Sequence, residues 1–407
     1  MNSQPNDFGA WNLNDRAYPE CGNHDNPEGG PTYPQPGYYG SPQMGPCASQ
    51  QGFGFPCTPI TQPAFGSPQS PVQPNYQLYV CPLGFPPQQQ PCFNPTLRPY
   101  PHFNAEEDCE KLRKAMKGIG TDENAIIDVL AHRTADQRVQ LVKQFKIMYG
   151  KDLISELKSE LTGHFEDVVE AMCYTLEELD ARALREAMKG AGTNEGTLIE
   201  ILATRSNEQI KKIKELYSSI FGGRDLEKDL TSETHGYFKR VLVSMVQGGR
   251  DESHHVDHSA VEHDAEELYN AGEKALGTDE STFITILLWK SEAHVRAVID
   301  AYEKHSNKDF EDVLKSELSG DLLRSFLAVV RSIRNKPRYF AHELRKSMEG
   351  AGTDDKKLIR IVVSRAEVDM GDIKREFMKQ YGKPLATWIT DDTTGDYKRM
   401  LLALVGD

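Results

Sequence analysis

Apolar residues recur at helical spacing from residue 104 onward, and the alternation typical of strands is weak throughout this part of the chain. In the first of four similar stretches they fit five helices, over about 105–116, 122–132, 135–149, 151–160 and 164–174. The same order of apolar and polar positions returns three more times before the chain ends. The pattern therefore predicts an all-α body of four units with five helices each, packed as one array.

One short string marks the four units, with glycines and a threonine between the first two helices of each. The threonines are 72, 85 and 75 residues apart. The copies read MKGIGTDE at 116–123, MKGAGTNE at 188–195, EKALGTDE at 273–280 and MEGAGTDD at 348–355. The longer middle interval holds a polar connection, GGRDESHHVDHSA at 248–260, which divides the array into two pairs. The predicted units are 104–175, 176–247, 261–333 and 334–407.

Residues 1–103 lack this pattern and are predicted to form a disordered head. Of the 23 prolines, 20 lie in the first 100 residues, mixed with Gly, Gln and Tyr. Such a segment buries too little apolar surface to offset the entropy lost on ordering. A solubilising tail, docking of the head onto an aromatic-lined groove of a partner protein, and weak self-association through tyrosines all fit this composition.

Charge limits what the body can bind. The first 100 residues hold two basic and five acidic side chains, so the remainder carries 45 basic against 56 acidic, a net charge of −11. That sign argues against nucleic acid, whose phosphates are bound by clustered Lys and Arg. It argues equally against unaided binding to anionic lipid. A divalent cation would have to reverse the local sign first.

The cysteines and the N-terminus indicate the cellular compartment of the protein. Seven cysteines without a Cys-x-x-Cys pair suggest reduced thiols. The N-terminus has no basic stretch followed by an apolar run, and no 18 consecutive apolar residues occur. We therefore expect a cytoplasmic protein that meets membranes only peripherally.

The repeated loop contains candidate oxygen ligands. Its glycines let the backbone turn sharply and expose carbonyl oxygens. An acid follows the threonine by 39 residues in three copies and by 40 in the second, where an extra glycine at Gly222–Gly223 explains the shift; the acids are Glu160, Glu233, Glu317 and Asp392. Loop carbonyls with one bidentate carboxylate suit Ca²⁺, which takes about 6 to 8 oxygens, and leave room for a phosphate oxygen. The structural alternative is a glycine C-cap followed by a threonine N-cap at Thr121, Thr193, Thr278 and Thr353.

The Met-Lys-Gly-x-Gly-Thr loop with an acid 39 residues later, four times over about 305 residues, closely resembles the annexin core. The resemblance implies a curved disc of four five-helix repeats, with calcium loops on a convex face that docks onto acidic phospholipid of the phosphatidylserine type. It also implies attachment to membranes when calcium rises and a role in membrane organisation or vesicle traffic, and the head is similar to those of long-headed annexins. Self-association on membranes is a further alternative.

Carried over copy by copy, the resemblance implies three carbonyls and one carboxylate at each calcium site. The third loop lacks the methionine and places its first glycine earlier, so its set differs. The implied ligands are Met116, Gly118, Gly120 and Glu160; Met188, Gly190, Gly192 and Glu233; Gly272, Ala275, Gly277 and Glu317; and Met348, Gly350, Gly352 and Asp392.

The third unit departs from the others a second time. After the second helix the other copies have Arg133, Arg205 and Arg365, whereas the third has Lys290. In annexins this arginine braces neighbouring loops, and lysine lacks its planar fork. The third repeat is therefore expected either to be looser or to use another partner.

Several weaker signals have ordinary alternatives. Among the histidines at 254, 255, 258 and 263, two at i and i+4 could hold a transition metal if the connection were helical, although a solvated linker is the better explanation. The basic run RSIRNKPR at 331–338 could contact phosphate or simply join two units. An enzyme is not expected, because the Lys-Ser/Thr ending of a P-loop is absent. The main alternative function is a calcium-independent scaffold that acts through the head.

Overall fold

The computed structural model describes residues 94–118, 120–274 and 277–406, all within the compact unit that spans Leu83–Asp407. Within these residues every regular element is helical, and no helix combines the length and the apolar character needed to cross a membrane. In chain order the helices are α1 Ala105–Ala115, α2 Glu123–Leu130, α3 Ala135–Tyr149, α4 Leu153–Glu160, α5 Gly163–Met172, α6 Leu176–Ala187, α7 Glu195–Thr204, α8 Asn207–Ile220, α9 Leu226–Glu233, α10 Gly236–Val246, α11 His258–Ala271, α12 Glu280–Ile284, α13 Glu292–Ser306, α14 Phe310–Glu317, α15 Gly320–Ser347, α16 Asp355–Ala366, α17 Met370–Tyr381, α18 Leu385–Asp392 and α19 Gly395–Val405.

Two of these helices are irregular. Helix α12 continues as a π-helical turn over Thr285–Trp289. Helix α15 is broken at Asn335, whose backbone is not helical, so its two halves serve as the last helix of the third repeat and the first helix of the fourth. Counted in this way, each repeat has five helices, as the apolar periodicity predicted.

The helix ends agree with the sequence pattern in the first repeat and differ in the third. The five helices predicted for the first repeat are confirmed, with ends that shift by no more than two residues. The first helix of the third repeat begins at His258, because Asp257 caps it through the backbone N–H groups of Ser259 and Ala260. The polar connection therefore ends before residue 258.

The second helix of each repeat is capped by the residue after the threonine, which corrects the expectation that the threonine is the N-cap. The capping side chains accept a hydrogen bond from a backbone N–H two or three residues ahead, and they are Asp122, Asn194, Asp279 and Asp354. Asp and Asn cap more strongly than threonine, which explains the choice. The threonine hydroxyls are thereby available for other contacts.

Apolar side chains form two cores that do not follow chain order. One core joins the first repeat to the fourth and includes Phe145 and Phe377. The other joins the second repeat to the third and includes Tyr217 and Phe310. This corrects the expectation of two pairs divided at the connection, since a covalent connection does not decide which apolar helix faces meet.

A buried ion pair connects the two cores. Arg360 of the fourth repeat donates two hydrogen bonds to the Glu200 carboxylate of the second repeat, at 2.9 and 2.7 Å. Both side chains are buried. A buried charge requires a well-placed partner, so this pair restricts how the two halves pack against each other.

Residues 94–101 form an N-terminal segment that lies against the body, although the sequence predicted that they belong to the head. The backbone N–H groups of Thr96 and Leu97 donate to the Ala366 carbonyl at 2.9 and 3.0 Å. The Thr96 hydroxyl donates to the Leu404 carbonyl at 2.6 Å. The segment therefore joins the first of the described residues to the fourth repeat. The earlier part of the predicted head lies outside the described residues.

Tyr100 attaches the same segment to the first repeat. Its backbone N–H and carbonyl each form a 3.0 Å hydrogen bond with the Gln137 side-chain amide. The Arg133 guanidinium lies over its ring, 3.7 Å from the ring centre. The N-terminal segment thus contacts the first and the last repeat together.

Candidate calcium sites

The four predicted acids share one structural position. Each is the last residue of an eight-residue fourth helix, and they are Glu160, Glu233, Glu317 and Asp392. In the second repeat this position belongs to Glu233 and not to Ser232. The shift arises in the turn before the helix, where Gly222 and Gly223 both have positive φ, at 67° and 83°.

The loop between the first and second helices is closed in the same way in every repeat. The backbone N–H of the capping residue donates to the carbonyl of the last residue of the preceding helix, at 2.7 to 2.9 Å; the pairs are Asp122 to Ala115, Asn194 to Ala187, Asp279 to Ala271 and Asp354 to Ser347. Loop glycines adopt φ between 85° and 124°, at Gly118, Gly120, Gly190, Gly192, Gly277, Gly350 and Gly352. Only glycine adopts such angles readily, so side chains at these positions would strain the loop.

Buried methionines fix the first residue of three loops. Met116, Met188 and Met348 follow the last helical residue directly, and their side chains lie in the apolar cores. The methionine therefore anchors each loop to the body, while the glycines that follow it are exposed.

The threonine hydroxyl connects the loop to the acid in three repeats. Thr121 donates to the Glu160 carboxylate at 3.4 Å, and Thr278 donates to the Glu317 carboxylate at 3.0 Å. Thr353 makes the same bond to Asp392. These contacts bring the loop and the end of the fourth helix together. The acids are also accessible, since those of the first two repeats are exposed and those of the last two are half-buried.

The third loop differs where the sequence indicated a difference. Gly272 is buried and has φ −109° and ψ −102°, which differs from the positive φ of the other loop glycines. A Cβ at Gly272 would lie 3.4 Å from the Phe283 ring and 3.5 Å from Glu317 Cγ. Both are ordinary van der Waals distances, so Gly272 lies against Glu317 and Phe283 with room for a Cβ. Ala275, the other implied carbonyl ligand of this loop, lies outside the described residues.

In the first two repeats an arginine supports the loop region through a buried aspartate. Arg133 donates to both carboxylate oxygens of Asp108, at 2.7 and 2.9 Å, and Arg205 forms the same two bonds with Asp180. The arginine follows the second helix and the aspartate lies in the first helix. A planar guanidinium thus fixes these two helices relative to each other.

The third repeat replaces this fork with separate residues. Its buried aspartate, Asp264, lies 3.3 Å from Lys290 Nζ and 2.7 Å from His294 Nε2. Arg250 of the connection donates to the carbonyls of Lys290 and Leu287, both at 2.8 Å. Of the two expectations for this repeat, the structure therefore has the one in which lysine acts with another partner. That partner is His294, which the sequence pattern did not indicate.

The fourth repeat has a third arrangement. Arg365, near the end of helix α16, pairs with Asp369, which directly precedes helix α17, at 2.8 and 2.7 Å. Its guanidinium also lies over the Phe340 ring, 4.5 Å from the ring centre. In the fourth repeat the arginine therefore faces an aromatic ring of the first helix, whereas in the first two repeats it faces an aspartate of that helix.

The histidines of the connection do not form a metal site in this structure. His254 and His255 precede helix α11, and His258 is its first residue, so the pair at 254 and 258 does not share a helix. Among the residues that the structure describes, no group of three His, Cys, Asp or Glu side chains is arranged to hold a metal ion. The loop sites described above would rely mainly on backbone oxygens.

Three of the four cations in the basic run at 331–338 are paired with acids of the protein. Arg331 donates to Glu311 at 2.9 and 2.7 Å, and Lys336 lies 3.4 Å from Glu292. Arg334 also pairs with Glu303. These ion pairs support the reading of this run as a charged connection between repeats.

The described cysteines are not nucleophiles. Cys109 and Cys173 are buried free thiols. Burial raises the pKa of the Cys109 thiol to about 11 and that of the Cys173 thiol to about 12. Both are therefore protonated near neutral pH, and a protonated thiol reacts slowly.

Comparison with known proteins gives one consistent family. A family model described as annexin matches residues 107–172, 179–245, 263–329 and 339–404. Annexin A4 of Homo sapiens is 51% identical over 304 residues, which are 75% of this chain and 95% of that protein. Annexin A7 of Homo sapiens is 50% identical over 311 residues, 76% of this chain and 64% of that protein.

Solved structures agree with the sequence comparison. Annexin III superposes with a TM-score of 0.76 at 43% identity, covering 77% of this chain and 97% of its own. Calcium-bound annexin (Sm)1 superposes with a TM-score of 0.71 at 32% identity, covering 77% of this chain and 93% of its own. The similarity spans the four repeats and leaves the first quarter of the chain without a counterpart in these matches.

Proposed function

Because the chain belongs to the annexin family, we propose that it binds acidic phospholipid membranes through calcium ions held in its four loops. Calcium-dependent phospholipid binding is a general property of this family, and one solved neighbour is calcium-bound annexin (Sm)1.

One observation carries the proposal. In all four repeats a loop closed by the same backbone hydrogen bond accompanies an acid at the last position of the fourth helix. A loop that merely joins two helices requires no acid at that place. A recurring carboxylate beside glycine-shaped backbone is the oxygen-rich environment that calcium prefers.

The proposed ligands are three loop carbonyls and one carboxylate in each repeat. They are Met116, Gly118, Gly120 and Glu160; Met188, Gly190, Gly192 and Glu233; Gly272, Ala275, Gly277 and Glu317; and Met348, Gly350, Gly352 and Asp392. When bound, the ion would supply positive charge and coordination positions for a lipid phosphate. This positive charge offsets the repulsion between an anionic membrane and a body of net charge −11.

Several sites on one body make attachment steep in calcium. Once one loop holds the membrane, the others meet lipid at a high effective concentration, so weak sites act together. We further propose that the protein is cytoplasmic, that it attaches peripherally when calcium rises, and that it organises membranes or serves vesicle traffic. A protein partner bound to the head and self-association on the membrane belong to this extended proposal. Annexins are generally not enzymes, and the proposal needs no catalytic group.

Co-sedimentation with phosphatidylserine vesicles across a calcium titration tests the proposal. We expect the full chain to pellet only when calcium is present and to return to the supernatant when excess chelator is added. Pelleting that ignores calcium would favour the alternative, a scaffold that acts through the head. No pelleting at any calcium concentration would reject the membrane function itself.

Single substitutions test the ligand assignment. The variants Glu160→Gln, Glu233→Gln, Glu317→Gln and Asp392→Asn should each raise the calcium concentration needed for pelleting, because each removes a charged oxygen ligand. Ser232→Ala is a matched control, since Ser232 precedes Glu233 on the same helix and lies one position away from the proposed site. If all four acid variants reach half-maximal pelleting at the same calcium concentration as the unaltered protein, the assignment is wrong.

A further inference from the structure

In the first repeat, three charged side chains form a cluster beside the loop. Arg113, near the end of the first helix, donates to the Glu156 carboxylate of the fourth helix at 2.9 Å. Lys151, in the turn before the fourth helix, donates to both oxygens of the same carboxylate, at 2.8 and 2.9 Å. Two cations from different elements therefore enclose one carboxylate.

The second repeat repeats this arrangement with different residue types. Arg185 lies 3.4 Å from Asp229, and Arg224 of the preceding turn donates to the same carboxylate at 2.8 and 3.0 Å. Asp229 lies four residues before Glu233, as Glu156 lies four residues before Glu160. A carboxylate paired with two cations therefore recurs at the same position in the first two repeats.

The fourth repeat keeps both cations and lacks the carboxylate. Arg345 corresponds to Arg113, and Lys383 corresponds to Lys151, but the residue four positions before Asp392 is Trp388. The Arg345 guanidinium lies 4.0 Å from the Trp388 ring centre, and Lys383 Nζ lies 5.6 Å from it. A neutral aromatic ring therefore stands where two repeats place a negative charge.

This replacement leaves hydrogen-bond donors unused. Arg345 Nη1 and Trp388 Nε1 are both buried, and neither has an acceptor among the described residues. Stacking on an indole ring stabilises a guanidinium, but a ring face is a poor substitute for an oxygen lone pair. Buried N–H groups almost always have an acceptor, so two neighbouring exceptions require an explanation.

The acids at the edge of this cluster hold it only loosely. Glu349 lies 3.3 Å from Arg345, and Asp391 lies 2.6 Å from Lys383. The side chains of Glu349 and Asp391 are 58% and 59% exposed. Water screens such pairs strongly, so they exchange readily with another anion.

We propose that Arg345, Lys383 and Trp388 form an anion-binding site for a carboxylate or phosphate group. The incoming anion supplies the negative charge that Glu156 supplies in the first repeat. It accepts hydrogen bonds from the guanidinium and the indole N–H, and Lys383 turns from Asp391 toward it. The third repeat cannot bind in this way, because Tyr269 and Val313 stand at the corresponding positions.

Two sources supply this chemistry: the head group of an acidic phospholipid, or a free phosphate or carboxylate. Trp388 lies about one helical turn from Asp392, so the cluster adjoins the proposed calcium loop of the fourth repeat. The anion site uses none of the proposed calcium ligands. It is therefore tested in chelator, where the calcium proposal plays no part.

Calorimetric titration of the full chain at constant ionic strength, with chelator present, tests the site. The probes are inorganic phosphate and glycerophosphoserine, a soluble lipid head group. We expect saturable binding with one site per chain. Arg345→Met should weaken it by about tenfold or more, because a charge-assisted hydrogen-bond donor is lost. Arg113→Met is the matched control and should leave it unchanged, since Arg113 already has Glu156 as its internal anion.

Trp388→Glu provides the sharper variant, because it builds the carboxylate of the first two repeats into the fourth. It should abolish binding of both probes. Should this variant unfold, as circular dichroism would show, Lys383→Met replaces it, since Lys383 is at the surface and its loss should weaken binding without affecting the fold. The emission of Trp388, isolated by Trp11→Phe and Trp289→Phe, gives a second readout of binding.

Each outcome decides the proposal. Binding of both probes supports an anion site open to either source, binding of glycerophosphoserine alone identifies a lipid head group, and binding of phosphate alone identifies a free anion. Absence of saturable binding overturns the proposal. So does binding that Arg345→Met leaves unchanged, because the anion would then lie elsewhere.

Discussion

The buried aspartate of the first helix has different partners in the second and third repeats. Asp180 receives both of its hydrogen bonds from one guanidinium, that of Arg205. Asp264 lies between Lys290 and His294, which approach it separately. The carboxylate is buried in both repeats. The same charge is thus balanced by one rigid group in one repeat and by two smaller groups in the other.

The comparison also shows where the third repeat obtains its remaining support. Arg250, which belongs to the connection and not to any repeat, donates to the carbonyls of Leu287 and Lys290. Leu287 lies in the π-helical turn that is particular to this repeat. Losing one partner should therefore cost the third repeat less than losing the arginine costs the second. The connection is expected to contribute to stability itself.

The largest effect is expected for Arg205→Met. This change leaves Asp180 buried without a counter-charge, which should lower the free energy of unfolding by about 3 to 5 kcal/mol. Denaturant unfolding of the full chain measures it. Arg205 is preferred to Arg133, because Arg133 also supports Tyr100. The double variant with Asp180→Leu is the control and should recover part of the loss. A loss below about 1 kcal/mol would contradict the role given to the fork.

Arg250→Met is expected to have the next largest effect. Two carbonyls would lose their donor, so we expect a loss of about 1 to 3 kcal/mol in the free energy of unfolding. Burial already lowers the pKa of Arg250, which shows how far its charge is removed from water. Trp289 emission should shift as well, because Asp251 of the connection donates to the Trp289 carbonyl. Arg240→Met, at an exposed arginine, is the control. If Arg250→Met and Arg240→Met lower the free energy of unfolding by the same amount, the connection does not stabilise the third repeat through Arg250.

His294→Leu should cost about 1 to 2 kcal/mol, because Asp264 keeps Lys290 while losing its closer partner. The same unfolding experiment measures this loss. The informative quantity is the difference from Arg205→Met, which should be the more damaging by a clear margin. If both variants lose the same amount, the third repeat depends on one residue just as the second does.

The smallest effect is expected for Lys290→Met, at less than about 1 kcal/mol. The lysine is 41% exposed and lies 3.3 Å from Asp264, so water already weakens the pair. Comparison with His294→Leu in the same buffer ranks the two partners. A reversed ranking, with lysine the more important, would mean that Lys290 has simply taken over the arginine's task.

Much of this fold follows from local sequence. The 3.6-residue periodicity locates the helices of the first repeat to within two residues, and the repeated loop defines four units. The extra glycine at 222–223 correctly places Glu233 in line with the other acids. These features depend on residues near each other in the chain. That is where sequence patterns are informative.

Features that depend on distant residues were predicted less well. Thr121 and Asp122 are both acceptable N-caps, and the Thr121 hydroxyl instead contacts Glu160, which lies 39 residues away in the chain. The pairing of the cores likewise depends on contacts between the first and fourth repeats. Whether the proposed calcium ligands act as such stays a prediction.

Some missed features left a signal in the sequence. His294 occupies the position at which Gln137 and Gln209 complete a capping box in the first two repeats. Aligning the four copies beyond the loop would have singled it out. The same alignment marks Trp388, an aromatic residue where two other copies have an acid. Departures within an internal repeat are therefore as informative as the motif that defines it.

The N-terminal segment has a consequence for chain connectivity. Thr96 contacts Leu404, and a Cβ on Gly406 would lie 3.2 Å from the Thr96 side chain, so the two ends of the body adjoin. A protein whose ends adjoin tolerates circular permutation when the new ends fall in an exposed loop. Here the polar connection before residue 258 offers such an opening. A chain that started with the third repeat and ended with the second could therefore keep both cores, so the order of repeats in the gene is one of several that this architecture permits.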